Sequence, residues 1–552
     1  MRDLDYRCHF LIEPLERRDA LSTVAGGGIV TTVGQVIPNF GANPTDYSMA
    51  SGNWSNPAIW SAGRVPVAGD VVQIAAGTRI NYDANSPAVI ATVAVEPGGE
   101  LDFATSVSTR LVVGNLLVME GGTLTIGTPT NPVAGNVRAE VDFSGSLNKT
   151  ADPQQYGIGL IGLGTVIVCG SPLSQTWLPL ANEPKAGDTA LALSAPVSGW
   201  RPGDTLLIPD SREMNEASLN PYVWEGDMPT IAAVSQDGRT VTLAAPLKYS
   251  HPGAHDAAGL LDDTPGVADL SRNVVFKSIG GTPGHVMFVD RAAVDVAFAE
   301  LDGLGRTTVQ PLGSTNIRDR DAIDLDNLMG PAAGQVGGGA GGQREFQFQL
   351  TGCVVNGSPK IGIALQNASF GLLSGNVVFN ADGAGIMLED GGEVQNTIAG
   401  NFTGLNVGDN RAVYQGADTG DFGHEGVGFW FRDQDNYVTG NVATDARHAD
   451  FTISEQPGAP AGSRSVPSFV AAQPDFPGAN LADPSQTTLV DVNSQGVLEF
   501  AGNEAYGGNT SFGGLYLWQA GIDVGQAPAL TKVPMSTIQG FVAWNVAKGI
   551  NS

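Results

Sequence analysis

Gly98-Gly99-Glu100-Leu101-Asp102-Phe103 and Gly121-Gly122-Thr123-Leu124-Thr125-Ile126 are two copies of one phrase: a glycine pair, then four residues alternating polar and apolar. The second copy begins 23 positions after the first. Strict alternation marks a half-buried strand. A repeat of this length suits one coil of a β-solenoid, in which each coil buries its apolar face by stacking on the next. The glycines fit the same picture, because tight corners between short strands need positive φ or close backbone approach. The phrase predicts a solenoid.

The second half carries its own mark. Gly-Asn followed by apolar residues recurs at Gly375-Asn376-Val377, Gly400-Asn401-Phe402, Gly440-Asn441-Val442 and Gly502-Asn503, and Gly352-Cys353-Val354-Val355 is a related rung. The first steps, 352 to 375 and 375 to 400, are 23 and 25 residues. The later steps of 40 and 62 must span inserted loops or unmarked coils. Stacked asparagines can hydrogen-bond along the axis of a β stack, so a structural ladder is expected here rather than chemistry. Between 186 and 250 the pattern changes to short alternating strands, with Asp237-Gly238 as a hairpin signal. Residues 330–343 and 455–485 read as long loops.

Composition narrows the partners. The chain has 552 residues, 74 Gly and 33 Pro, so turns are dense and helices few. Its net charge is −28, which disfavours nucleic acid, since phosphate binding wants basic surface. The same carboxylates offer oxygen ligands for calcium. Cys8, Cys169 and Cys353 are too few and too scattered for a disulfide framework or a zinc site. No apolar run near the N-terminus is long enough to span a membrane, so no transmembrane segment is expected there. At the other end, Phe541-Val542-Ala543-Trp544-Asn545-Val546 reads as one more rung with no polar cap after it. The expectation is a truncated piece of a longer chain, or a monomer with a short cap.

The stretch from Trp54 to Gly127 resembles the G-eight domain, its glycines being Gly69, Gly77, Gly98, Gly99, Gly114, Gly121, Gly122 and Gly127. The resemblance continues through Trp200-Arg201-Pro202-Gly203-Asp204, Gly284-His285-Val286-Met287, Leu388-Glu389-Asp390-Gly391-Gly392-Glu393 and Phe422-Gly423-His424-Glu425-Gly426. Members include cell-surface hyaluronidases, the hyaluronan-binding cell-migration-inducing protein and fibrocystin-like receptors. The resemblance implies an all-β chain, a right-handed parallel β-helix of the pectin-lyase type. It would have a G-eight domain at 51–145 after a leader and linker at 1–50. First coils at 146–185, an inserted antiparallel β-sandwich or barrel at 186–250 and the main β-helix at 251–552 would follow. Ile12-Glu13-Pro14-Leu15-Glu16-Arg17-Arg18 is similar to the leader of large surface proteins of planctomycete bacteria, which implies export to the cell surface or beyond.

Parallel stacking places equivalent residues of neighbouring coils about 4.8 Å apart, close enough for a pair of carboxylates to cleave a glycosidic bond. The acidic candidates are Glu389, Asp390 and Glu393. Asp418, Asp421, His424 and Glu425 precede the aromatic run Phe429-Trp430-Phe431 and suit acid–base work or calcium. Asp324 and Asp326 face one side of a strand and could form an acid pair or a cation site. Trp430, His285 and Arg320 are candidates for contacting substrate, although Trp430 and His285 could equally be core, and Asp390 could simply open an Asx turn. His251 and His255 read as solvated loop residues. The hyaluronan-degrading relatives carry a His-Gly where this chain has Cys169-Gly170, a histidine-rich rung where it has Arg320 to Asp326, and a further imidazole where it has Gln366. The expectation is therefore an exported protein that binds an extracellular polysaccharide or surface polymer. The alternatives are a hyaluronidase-like hydrolase or lyase, with or without calcium, and a purely structural envelope solenoid.

Overall fold

The computed structural model describes residues 23–25, 29–32, 35–213, 223–289, 292–309, 316–328, 346, 348–389, 391–408, 423–432, 436–454, 463–467, 487–491, 497–508, 512–518 and 537–551. Among them, strands and turns account for nearly everything, and the single helical element is a 3-10 turn at Pro57–Ile59. Chain contacts divide the molecule into two compact units. One comprises residues 1–172, 272–307 and 313–353; the other comprises 173–271, 308–312 and 354–552.

The first unit is a pile of parallel coils. The two copies of the opening phrase lie on neighbouring coils, Leu124 directly opposite Leu101 and Thr123 opposite Glu100, so the 23-residue step is one turn of the column. The same sheet continues from Thr123–Ile126 through Thr165–Cys169 and Ala293–Ala297 to Phe348–Thr351. Gly98 and Gly121 have φ of +79° and +77°. A Cβ on the following glycine, Gly99 or Gly122, would sit 2.4 Å from Ile74 O or 2.6 Å from Val95 O. Each pair thus turns the chain with its first glycine and lets the coil below approach with its second. The strand Thr109–Val118 pairs with two successive strands, with Ala139–Gly145 through its first half and with Gly159–Gly162 through its second.

The second unit repeats the design with a different corner. Val354, Val377, Phe402, Val442, Glu504 and Val542 lie in one register, coil after coil. The 40- and 62-residue steps are therefore single coils, their extra chain falling between Asn406 and Val427 and between Ser454 and Glu499. The asparagine ladder is present. Asn376 Nδ2 donates to Asn401 Oδ1 at 2.9 Å, Asn401 Nδ2 to Asn441 Oδ1 at 2.9 Å, and Asn441 Nδ2 to Asn503 Oδ1 at 3.0 Å. The backbone N–H of each acceptor's predecessor joins in, as Asn401 N does to Asn441 Oδ1. A second, shorter ladder, Asn396 to Asn436 at 3.1 Å, runs along another bend. All these amides are buried, where a satisfied polar network fixes register and a broken one is costly.

Residues 177–269 interrupt the coils with antiparallel sheets, one of Trp177–Pro179, Gly266–Asp269 and Leu206–Leu207, the other of Ala190–Ala192, Thr240–Leu243 and Ile231–Val234. Asp237-Gly238 makes the expected hairpin, Gly238 at φ +69°. This insert lies on the apolar outer face of its own unit's coils: Leu207, Ala268 and Leu270 share a buried cluster with Val377, Phe402, Val442 and Tyr506. Polar contacts fix the seating. Thr176 Oγ1 and Trp177 Nε1 donate to the carbonyls of Gly375 and Gly400, each at 2.5 Å, and Gly266 N donates to Tyr506 Oη at 2.8 Å. His251 is not the solvated loop residue expected from the sequence. It is buried, Nδ1 2.8 Å from Pro209 O and Nε2 3.1 Å from Asp227 Oδ2, because the insert folds both partners around the ring.

One buried side chain works against the column. Asp450 lies opposite Gly428 on one coil and Gly514 on the other, and neither of its oxygens has a hydrogen bond of normal geometry. Burial and the nearby Asp445 hold its carboxyl well above the ordinary 3.8, the Ala446 amide opposing weakly. The folded protein thus keeps a proton that the unfolded chain has lost above about pH 4. Stability from this site is greatest below that pH and falls as pH rises. Asp450→Ala should raise stability at pH 7 by about 1–3 kcal/mol and flatten the profile between pH 4.5 and 7, read from urea midpoints. A loss of stability at pH 7 would contradict this.

Candidate functional site

In the first unit the strand Ile323–Asp326 pairs Asp324 with Met287 and Asp326 with Val289, so both carboxylates face one side, as the sequence suggests. Directly paired residues share a face, and the row through Asp324 runs back along Met287, Ile161, Leu117 and Ala94. Those side chains form an apolar cluster with Ile37, Tyr156 and others. Asp324 and Asp326 therefore close an otherwise apolar row.

Around them the chain gathers charge. Arg320 stands at φ +69° beside Asp319 at φ +62°. Its guanidinium lies 3.9 Å over the Tyr156 ring, donates to Gln154 O at 3.1 Å, and is 3.5 Å from Asp319 Oδ2. Its amide reaches Asp324 Oδ2 at 3.4 Å. Burial, then the charges of Asp319, Asp321 and Asp326, push the Asp324 carboxyl well above its usual range, with Arg320 opposing. Asp324 Oδ1 is buried without a hydrogen-bond partner. His285 donates through Nε2 to Tyr156 O at 2.8 Å, which fixes its tautomer. Arg306, which sequence reading passed over, donates to Pro283 O at 2.6 Å and to Ile158 O. Burial and the neighbouring Arg320 lower it to about 9, Asp152 opposing. The 152–158 loop that receives these arginines is itself held by Asp152, which accepts from Tyr156 N and Gly157 N.

In the second unit Glu389 follows the strand Ile386–Leu388 and accepts from Gln366 Nε2 at 2.7 Å; its backbone carbonyl accepts from Arg432 at 3.2 Å. Gln366 thus orients a carboxylate. Glu393 accepts from the amides of Asn367 and Gly391 and is a turn-holding residue. Trp430 pairs in register with Met387 and is buried with Ile361, Ala364 and Ala384. His424 Nε2 lies 3.4 Å from Glu425 Oε1. Asp390, Asp418 and Asp421 lie outside the described residues, as do residues 330–343, the N-terminal leader and most of 455–485. Asp326 accepts from Asn327 Nδ2 at 2.5 Å. Among the described residues no group of three or more His, Cys, Asp or Glu is placed to hold a metal ion, and no helix is long and apolar enough to cross a membrane.

Parallel coils with asparagine-lined bends and an N-terminal glycine-cornered module define the class: a parallel β-helix headed by a G-eight module. Residues 59–181 match the G8 domain and residues 338–474 the CEMIP beta-helix. The chain is similar to human Fibrocystin-L, 24% identical over 444 residues, 75% of this chain but 10% of that protein. It is also 24% identical over 417 residues to Protein rliB of Dictyostelium discoideum, covering 71% of this chain and 33% of that one. The chain thus spans a small part of these relatives. Among solved structures it is similar to the catalytic domain of a GH87 alpha-1,3-glucanase in complex with tetrasaccharides, at 10% identity and TM-score 0.24, covering 67% of this chain and 81% of that one. A likeness that slight bears on neither substrate nor mechanism.

Proposed function

We propose that this protein is exported and engages an extracellular polysaccharide or surface polymer along its β-helical coils. The observation that carries this reading is the row of residues lying one coil apart on one sheet of the second unit. Gln366, Glu389 and Arg432 form one line within the CEMIP-like segment, joined from coil to coil by hydrogen bonds. Amide, carboxylate and guanidinium groups repeating at about 4.8 Å suit an extended polymer better than a compact ligand. A glycan array with the whole chain tests it; failure to retain any polysaccharide would sink the reading.

A second reading, cleavage, is favoured by Asp324. A carboxyl whose pKa is raised by burial and by three neighbouring carboxylates is the arrangement that favours a general acid next to a charged partner. Incubating the retained polymer with the wild type and with Asp324→Asn, with and without calcium, separates the two. Chain shortening that falls by about 100-fold or more in the variant supports cleavage. Retention without shortening in either protein leaves binding alone.

A further inference from the structure

His448 begins the coil whose strand is Ala449–Ser454, and its ring lies 4.3 Å from that of Phe512 and 6.1 Å from that of Tyr516, the latter edge-on at 78°. Phe512 and Tyr516 are themselves 4.7 Å apart. The imidazole is 6% exposed and makes no hydrogen bond among the described residues, yet its nitrogens are not among the atoms sealed from solvent. The ring is therefore largely buried, its nitrogens keeping slight exposure. Burial, then His424 and Arg447, lower it to about 3, so it is uncharged at neutral pH. Tyr516 lies in register with Thr452, and Thr452 with Trp430.

An aromatic pair beside a neutral imidazole has a definite chemistry. Ring faces take the apolar C–H patch of a pyranose, and a neutral imidazole offers one donor and one acceptor to its hydroxyls. A carboxylated or sulfated sugar would find no cation in His448 and would meet the Glu425 carboxylate beside His424, while the nearby Arg447 guanidinium is turned to the Val407 carbonyl. We propose that the corner formed by His448, Phe512 and Tyr516 is a subsite for an uncharged pyranose, stacked on the two rings and hydrogen-bonded by the imidazole. The inference rests on the polysaccharide reading and narrows it to a neutral glycan at this point of the column.

Calorimetric titration of the whole chain with cellohexaose, laminarihexaose and N-acetylchitohexaose, with hexagalacturonate as the charged comparison, tests it. At least one neutral hexasaccharide should bind, and Phe512→Ala and His448→Gln should each weaken it about tenfold with an unchanged unfolding temperature. Hexagalacturonate should bind at least as weakly as the variants bind the neutral sugar. Phe512 is only half-buried and His448→Gln keeps a polar side chain of similar reach, so one variant remains informative if the other unfolds. Neutral-sugar binding untouched by both substitutions overturns the subsite while leaving the polysaccharide reading intact, and so does tighter binding of hexagalacturonate. No binding of any oligosaccharide or polysaccharide overturns both.

Discussion

Replacing Asn401 by alanine is expected to lower the stability of the second unit by about 4 kcal/mol. The side chain stands in the middle of its ladder. Its Oδ1 accepts from both the backbone N and the Nδ2 of Asn376, and its Nδ2 donates to Asn441 Oδ1 and to Leu373 O at 2.9 Å. Truncation strands the donors of Asn376 and the Leu373 carbonyl in a fully buried site, and each buried unsatisfied group costs about 1–3 kcal/mol. Asn81→Ala is the matched control, since its amide also bridges to a neighbouring coil, at Asn53, but in solvent. That change should cost about 0.5 kcal/mol. Urea unfolding of the two variants gives the comparison. Equal, small losses would mean that the stacked amides add nothing beyond the backbone ladders.

Phe402→Ala should have the next largest effect, about 3–5 kcal/mol, and should show it in a particular place. Phe402 is fully buried between the coils and the insert, its ring 5.4 Å from Trp177, and Gly266 packs so tightly on it that an added Cβ would lie 2.8 Å from Cε2. Removing the ring opens a cavity at the centre of the apolar cluster that seats the insert. Limited proteolysis should then cut within 173–271 well before the coils are attacked, whereas the wild type resists at both. Uniform cleavage of the variant would show that the insert holds by other contacts.

How much of this was legible beforehand follows from the range of the interactions. The opening phrase and the Gly-Asn marks are local signals of a backbone that must turn in the same way on every coil, and they predicted register, coil length and the ladder at Asn376, Asn401, Asn441 and Asn503. Even the 40- and 62-residue steps were bounded correctly, although only pairing could show that each is a single coil with an inserted loop. The site was legible in residue type and not in environment. Asp324 and Asp326 were placed on one face by strand alternation alone, but nothing nearby in sequence shows that Asp319 and Asp321 crowd them, or that Tyr156 and Arg306 arrive from distant segments. His448 and Phe512 were missed for the same reason, being 64 positions apart and brought together by stacking. His251 failed in the opposite direction: Pro252-Gly253 marks a turn correctly, but a turn at the foot of an insert can be buried.

The central claim is that a polysaccharide lies along the coils. Hydrogen exchange of the whole chain, free and with the polymer it retains best, measures this directly. Exchange should slow at 427–431, 449–453 and 513–517, with no protection gained in the G8-matched segment 59–181. Protection confined to 59–181, or no protection anywhere with the polymer bound, would contradict that claim.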